Sequence, residues 1–152
     1  MSEFARKNEE RLIILLTQEA ELLGKFFEES LAQEELLRED KAEEFIKSLE
    51  RGGKLIEKVN ELHQETHLLM QSYVSFSETE NRKIDAVETA KDKLRDAMQK
   101  ASELNEKNTA VALEKQKEFS QKISKVNQNR KSIGLYAQVS GTNRSELFDK
   151  KT

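Results

Sequence analysis

Residues 45–76 read FIKSLERGGKLIEKVNELHQETHLLMQSYVSF. Within them Phe45, Leu49, Gly52, Ile56, Val59, His63, Thr66, Met70 and Tyr73 alternate steps of four and three. A second row, Leu55, Leu62, Leu69 and Phe76, recurs every seven residues. An average spacing of 3.5 keeps a stripe on one side of a helix only if that helix winds left-handed around a neighbour. The stretch therefore reads as a long helix packed along others, and the fold class as all-α. Gly52-Gly53 interrupts the pattern, and each glycine costs about 1 kcal/mol relative to alanine inside a helix. Close approach of a neighbouring helix, or a local kink, accounts for the pair.

Upstream, Asp40-Lys41-Ala42-Glu43 has the form of a capping box, in which Asp accepts from a free helical N–H and Glu reaches back. It predicts a tight turn around Arg38–Asp40 and a helix beginning near residue 41. Before it lies a helix over about residues 2–38, whose Leu12, Leu15, Leu16, Leu22, Leu23, Phe26, Phe27, Leu31, Leu36 and Leu37 form one broad stripe. The adjacent pairs Leu22-Leu23 and Phe26-Phe27 make it wider than a two-stranded seam, so it should meet more than one neighbour. A turn this short makes the two helices antiparallel.

Downstream, Ser77-Glu78-Thr79-Glu80 is a second capping box and predicts a third helix over about residues 78–131. Ile84, Val87, Leu94, Ala97, Met98, Ala101 and Leu104 begin its stripe well. Asn105, Asn108, Lys115 and Lys122 then fall where the register wants apolar side chains, leaving Val111, Ala112, Leu113, Phe119, Ile123 and Val126. A helix this polar is expected to be frayed or to await a partner. Arg130 and Lys131 suit a helix C-terminus, and Gly134 can cap it. The expectation is an elongated antiparallel bundle or coiled coil of three long helices over residues 1–131. Residues 132–152 are expected to form a flexible tail with apolar spots at Leu135-Tyr136 and Leu147-Phe148.

Composition agrees. The 152 residues include no Pro, no Cys and no Trp, and 36% are charged. High charge without Pro favours helix throughout, and few aromatics suit narrow buried stripes over one large core. Absent Cys removes disulfides and thiol chemistry. The longest apolar run, Leu12 to Leu16, is far short of a membrane span, and the start lacks a signal pattern, so a cytoplasmic protein without direct membrane insertion is expected. Net charge is −3, which does not suit nucleic acid. Residues 1–76 carry 17 acids against 10 bases and the remainder 12 against 16. That asymmetry favours folding the halves together, or marks uneven solvated faces.

Chemistry-bearing patterns are sparse. His63 and His67 stand at helical i and i+4, a spacing that can hold a metal. Gln64 follows the first His where a zinc protease needs Glu, and no third His or Cys exists. The pair reads as a seam histidine with a polar neighbour, with no metal and no cofactor expected. No Gly-rich phosphate loop is present, and no Ser–His–Asp arrangement is legible. Glu–Lys pairs at helical spacing are local ion pairs. The late bases Lys115, Lys117, Lys122, Lys125, Arg130 and Lys131 alternate with acids and Gln and lack aromatic interleaving, which reads as a solvated face. An enzyme is not expected.

Three stretches together resemble the FlgN-type flagellar export chaperones. The first is the long Leu-rich opening helix leading into Leu36-Leu37-Arg38-Glu39-Asp40-Lys41-Ala42-Glu43-Glu44-Phe45. The second is Leu104-Asn105-Glu106-Lys107-Asn108 followed by a polar amphipathic helix; the third is Leu135-Tyr136 with Gly141 soon after. Thr109 stands where some relatives have Gly, and Ala137-Gln138-Val139-Ser140 separates Tyr136 from Gly141. The resemblance implies a cytosolic chaperone, independent of ATP, that binds the C-terminal helical regions of the flagellar hook-associated (hook–filament junction) proteins. Such a chaperone prevents premature assembly and delivers its clients to the type III export gate. It further implies client binding by Asn105, Asn108, Val111, Leu113, Phe119, Ile123 and Val126. Docking on the cytoplasmic domain of the export gate falls to Leu135 and Tyr136. The alternative is a structural homo-oligomeric coiled-coil protein without a client; a homodimer is compatible with both.

Overall fold

The computed structural model describes residues 7–115. They form three helices, α1 (Glu9–Arg38), α2 (Ala42–Glu80) and α3 (Asp85–Glu114), and no strand. The all-α architecture expected from the heptad is present. At 1.5 Å per residue the 39 residues of α2 span roughly 58 Å.

Cross-helix contacts give the directions. Arg11 meets Glu65, Glu19 meets His63, and Glu29 meets Ser48, so α1 and α2 run antiparallel. Ser30 meets Asn108 and Leu37 meets Lys115, both 78 residues apart, so α1 and α3 run parallel. α1 packs closely along both neighbours. This explains its wide stripe: it is the central helix, and one seam could not serve two partners.

All nine positions of the α2 heptad are buried. One apolar cluster joins Leu12, Leu16, Leu23 and Phe26 of α1 to Ile56, Val59, Met70 and Tyr73 of α2 and to Val87, Leu94 and Met98 of α3. A second, at the opposite end, joins Leu37, Phe45, Ile46, Leu49 and Ala112. Each buried large apolar side chain contributes about 1.5–3 kcal/mol. Between the clusters lies a polar waist of Ser30, Gln33, Ser48, Asn105 and Asn108, all buried. Gly52 sits beside it because a Cβ there would stand 3.1 Å from the Phe26 ring. Close approach, the first of the two expectations, is the reason for this glycine.

The first turn lies where the capping box put it, with Lys41 in place of Asp40 at the N-cap position, whereas the second turn lies elsewhere. At the first, Asp40 adopts a left-handed conformation (φ 58°) and belongs to the end of α1. The Lys41 N–H donates to the Leu36 carbonyl at 2.9 Å and the Asp40 N–H to that of Leu37 at 3.2 Å, a Schellman closure. Lys41 occupies the N-cap position of α2 and makes no side-chain capping bond. At the second, Ser77 to Glu80 lie inside α2, which ends at Asn81, also left-handed (φ 53°). The Arg82 N–H closes onto the Ser77 carbonyl at 3.2 Å, and its guanidinium lies 5.0 Å from the centre of the buried Phe76 ring. α3 thus begins at Asp85, seven residues later than expected.

A side chain from α2 does the work assigned to the missing box. The Tyr73 hydroxyl accepts from the Ile84 N–H at 2.9 Å and donates to Glu88 at 2.6 Å. Lys91, itself buried, donates to the same Glu88 at 3.0 Å and lies 5.9 Å from the centre of the Tyr73 ring. Burial, and then the Glu88 carboxylate, hold the Tyr73 hydroxyl well above the ordinary tyrosine range, against the opposing pull of the Ile84 N–H.

Candidate partner-binding surface

The client-binding residues expected from the sequence divide into two groups. Asn105 and Asn108 are buried against α1, and the Asn108 side chain donates to the Ser30 carbonyl at 2.8 Å. Val111 is half-buried against the second apolar cluster, and Leu113 is half-buried near the end of α3. Phe119, Ile123, Val126, Leu135 and Tyr136 lie outside the described residues, as does the expected tail.

The expectation that α3 has little to bury after Leu104 is corrected as far as Lys115. Ala112 is fully buried, and Asn105 and Asn108 fill the waist. The Lys115 ammonium donates to the Leu37 carbonyl at 2.6 Å and pairs with Asp40, placing a cation at the negative end of α1. Lys107 pairs with Glu34 at 2.9 Å. These polar side chains look like interruptions only when α3 is considered without α1.

His63 is buried, and its Nδ1 lies 3.1 Å from an oxygen of Glu19, which has no exposure at all. His67 stacks at 6.4 Å from His63. Among the described residues no group of three His, Cys, Asp or Glu side chains is placed to hold a metal. Glu19 was not singled out by the sequence, although it falls one helical turn after the buried Leu15 and Leu16, where a buried residue is due.

Two open grooves flank α1. The one against α2 is lined by Lys25, Lys54 and Lys58 with Glu29 and Arg51. Burial raises the Glu29 carboxyl, but hydrogen bonds from Arg51 and Ser48 outweigh it and leave the group below the ordinary carboxylate range. The groove against α3 has more apolar residues in its lining. Leu23, Gly24, Phe27 and Leu31 of α1 and Ala97 of α3 line it, in a volume of about 530 Å³. Lys93, Asp96 and Lys100 form its α3 wall and Glu28 stands on the α1 side. Leu31 is 45% exposed there. The sequence placed Leu31 and Phe27 in the stripe of α1; it did not separate the part of that stripe which α2 and α3 cover from the part left open.

Comparison with protein-family models, curated proteins and solved structures returns no match. Among the described residues no helix is long and apolar enough to cross a membrane.

Proposed function

We propose that this chain is a cytoplasmic export chaperone of the FlgN kind, holding the C-terminal helical regions of flagellar hook-associated proteins and handing them to the export gate. The observation that carries the reading is the open apolar groove along α1 and α3. Among the described residues the groove between α1 and α3 stays open, as a protein that captures another protein's helix requires. The Leu104-Asn105-Glu106-Lys107-Asn108 resemblance supports the same reading.

In this proposal Asn105 and Asn108 act by fixing α3 on α1. Val111, Leu113, Phe119, Ile123 and Val126 supply the client contacts of that segment, and Leu135 with Tyr136 docks on the cytoplasmic domain of the gate. Replacing Phe119, Ile123 and Val126 together by Asp tests the first part in a pull-down with purified hook–filament junction proteins. Capture should be lost while helical circular dichroism is unchanged; undiminished capture removes these residues from the site. Tyr136→Ala should keep client capture and weaken gate binding by calorimetry. A tight homodimer that captures neither junction protein would establish the structural coiled-coil alternative.

A further inference from the structure

The two mid-helix glycines have different surroundings. A Cβ at Gly52 would meet Phe26 at 3.1 Å, whereas one at Gly24 would meet nothing within 4 Å. Glycine in a helix interior costs about 1 kcal/mol, and nothing among the described residues offsets that at Gly24. Gly24 lines the α1–α3 groove beside the half-buried Phe27 and the exposed Leu31. An absent side chain there allows another helix to approach α1 closely, as Phe26 approaches α2 at Gly52.

The charged residues at the groove's edges are Glu28 on α1 and Lys93, Asp96 and Lys100 on α3. On α1, Glu21, Glu28 and Glu35 recur every seven residues and are all exposed; Glu28 is the one that lines the groove, and Glu35 pairs with Arg38. On α3, Lys93, Lys100 and Lys107 recur every seven and are also exposed. Lys107 is paired with Glu34. Among the described residues Glu28, Lys93 and Lys100 make no ion pair, and neither does Asp96, which lies between the two lysines. This is the arrangement by which flanking charges in a coiled coil select a partner.

We propose that the α1–α3 groove is the seat of an amphipathic helix of the client, apolar on the edge that meets Phe27 and Leu31, acidic on the flank toward Lys93 and Lys100 of α3 and basic on the flank toward Glu28 of α1. The proposal rests on the reading of the chain as a client-holding protein, and adds to it the face that is used and the charge pattern selected.

Three synthetic peptides of roughly 21 residues test the charge pattern, all sharing one leucine heptad stripe. One carries glutamate along one flank and lysine along the other; the second has glutamate on both flanks and the third lysine on both. The full chain should bind the mixed peptide at least about tenfold more tightly than either other. In the Lys93→Glu/Lys100→Glu double variant both walls are acidic, and the preference should move to the all-lysine peptide. Gly24→Leu should weaken binding of every peptide while thermal melting confirms the fold. Equal binding of the three peptides, or a preference that ignores the charge reversal, overturns the proposal.

A photo-crosslinker at Leu31 identifies the natural occupant. Products with a purified junction protein support the proposal. Products with a second copy, or with residues 116–152 of the same chain, overturn it. Peptide selectivity as predicted, with no junction protein captured, leaves a helix-binding groove and overturns the choice of client. Junction-protein capture that is unaffected by Gly24→Leu keeps the chaperone reading and removes the groove from it.

Discussion

Gly24 and Gly52 show how two identical residues on neighbouring helices carry different consequences. Gly24→Ala adds a Cβ that meets nothing, so it should raise stability by about 0.5–1 kcal/mol through the smaller entropy of the unfolded chain. Gly52→Ala forces the buried Phe26 ring to shift and should lower stability by about 1 kcal/mol, despite the better helix propensity of alanine. Urea denaturation of the two variants decides both signs. Tyr73 carries a second prediction. Tyr73→Phe removes the acceptor for the Ile84 N–H and a donor to Glu88, and should cost about 1–3 kcal/mol. The hydroxyl pKa is raised in the folded chain, so its contribution is complete below the unfolded value of about 10 and is lost as pH rises beyond it. Urea midpoints of the wild type should therefore fall more steeply above about pH 10 than those of Tyr73→Phe. At this scale the close approach at Gly52 was legible, because a glycine on a heptad position asks for one. Tyr73 was legible as buried but not as a helix cap, since its partners are 11 and 15 residues away and join it only through the turn.

The helices themselves were legible and their ends less so. α2 follows its heptad at every position, because a period of 3.5 is a property of many residues together. Turns depend on a few, and patterns of equal local merit compete there. Asp40-x-x-Glu43 and Ser77-x-x-Glu80 both have the letters of a capping box, yet left-handed Asp40 and Asn81 end the preceding helices instead. α3 was misread for a related reason. Asn105, Asn108 and Lys115 look unsuited to a seam until the polar atoms of α1 are set opposite them. A consequence can be measured. Truncation after Leu104 removes Ala112 and Val111, uncovers Leu37 and Phe45, and deletes the Asn108 contact to Ser30. It should shift the urea midpoint down and bring fast amide exchange to the α1–α2 turn. Truncation after Lys115 leaves these contacts in place and should leave both readouts near the wild type. Equal behaviour of the two truncations would show that residues 105–115 do not hold the bundle together.

For the whole molecule, the central position of α1 organises everything else. Its stripe serves α2 and α3 at once, its polar waist fixes their registers, and its outer edge with α3 leaves the apolar groove open. Leu31 at 45% and Leu68 at 64% exposure show that the apolar residues of these helices are not all consumed by the chain's own core. Leu31 lines the groove, whereas Leu68 stands on α2, apart from it. The amphipathic pattern could reveal that α1 has more apolar surface than one neighbour needs. It could not reveal which part remained after two neighbours were seated, because that depends on the packing of all three. We propose that this remaining face, with the segment that follows α3, captures a client's helix. Isothermal titration of the full chain with the C-terminal helical region of a purified hook–filament junction protein tests it most directly. A one-to-one complex is expected, weakened at least about tenfold by Gly24→Leu without loss of helix content; no heat of binding, or binding untouched by that substitution, would rule this capture out.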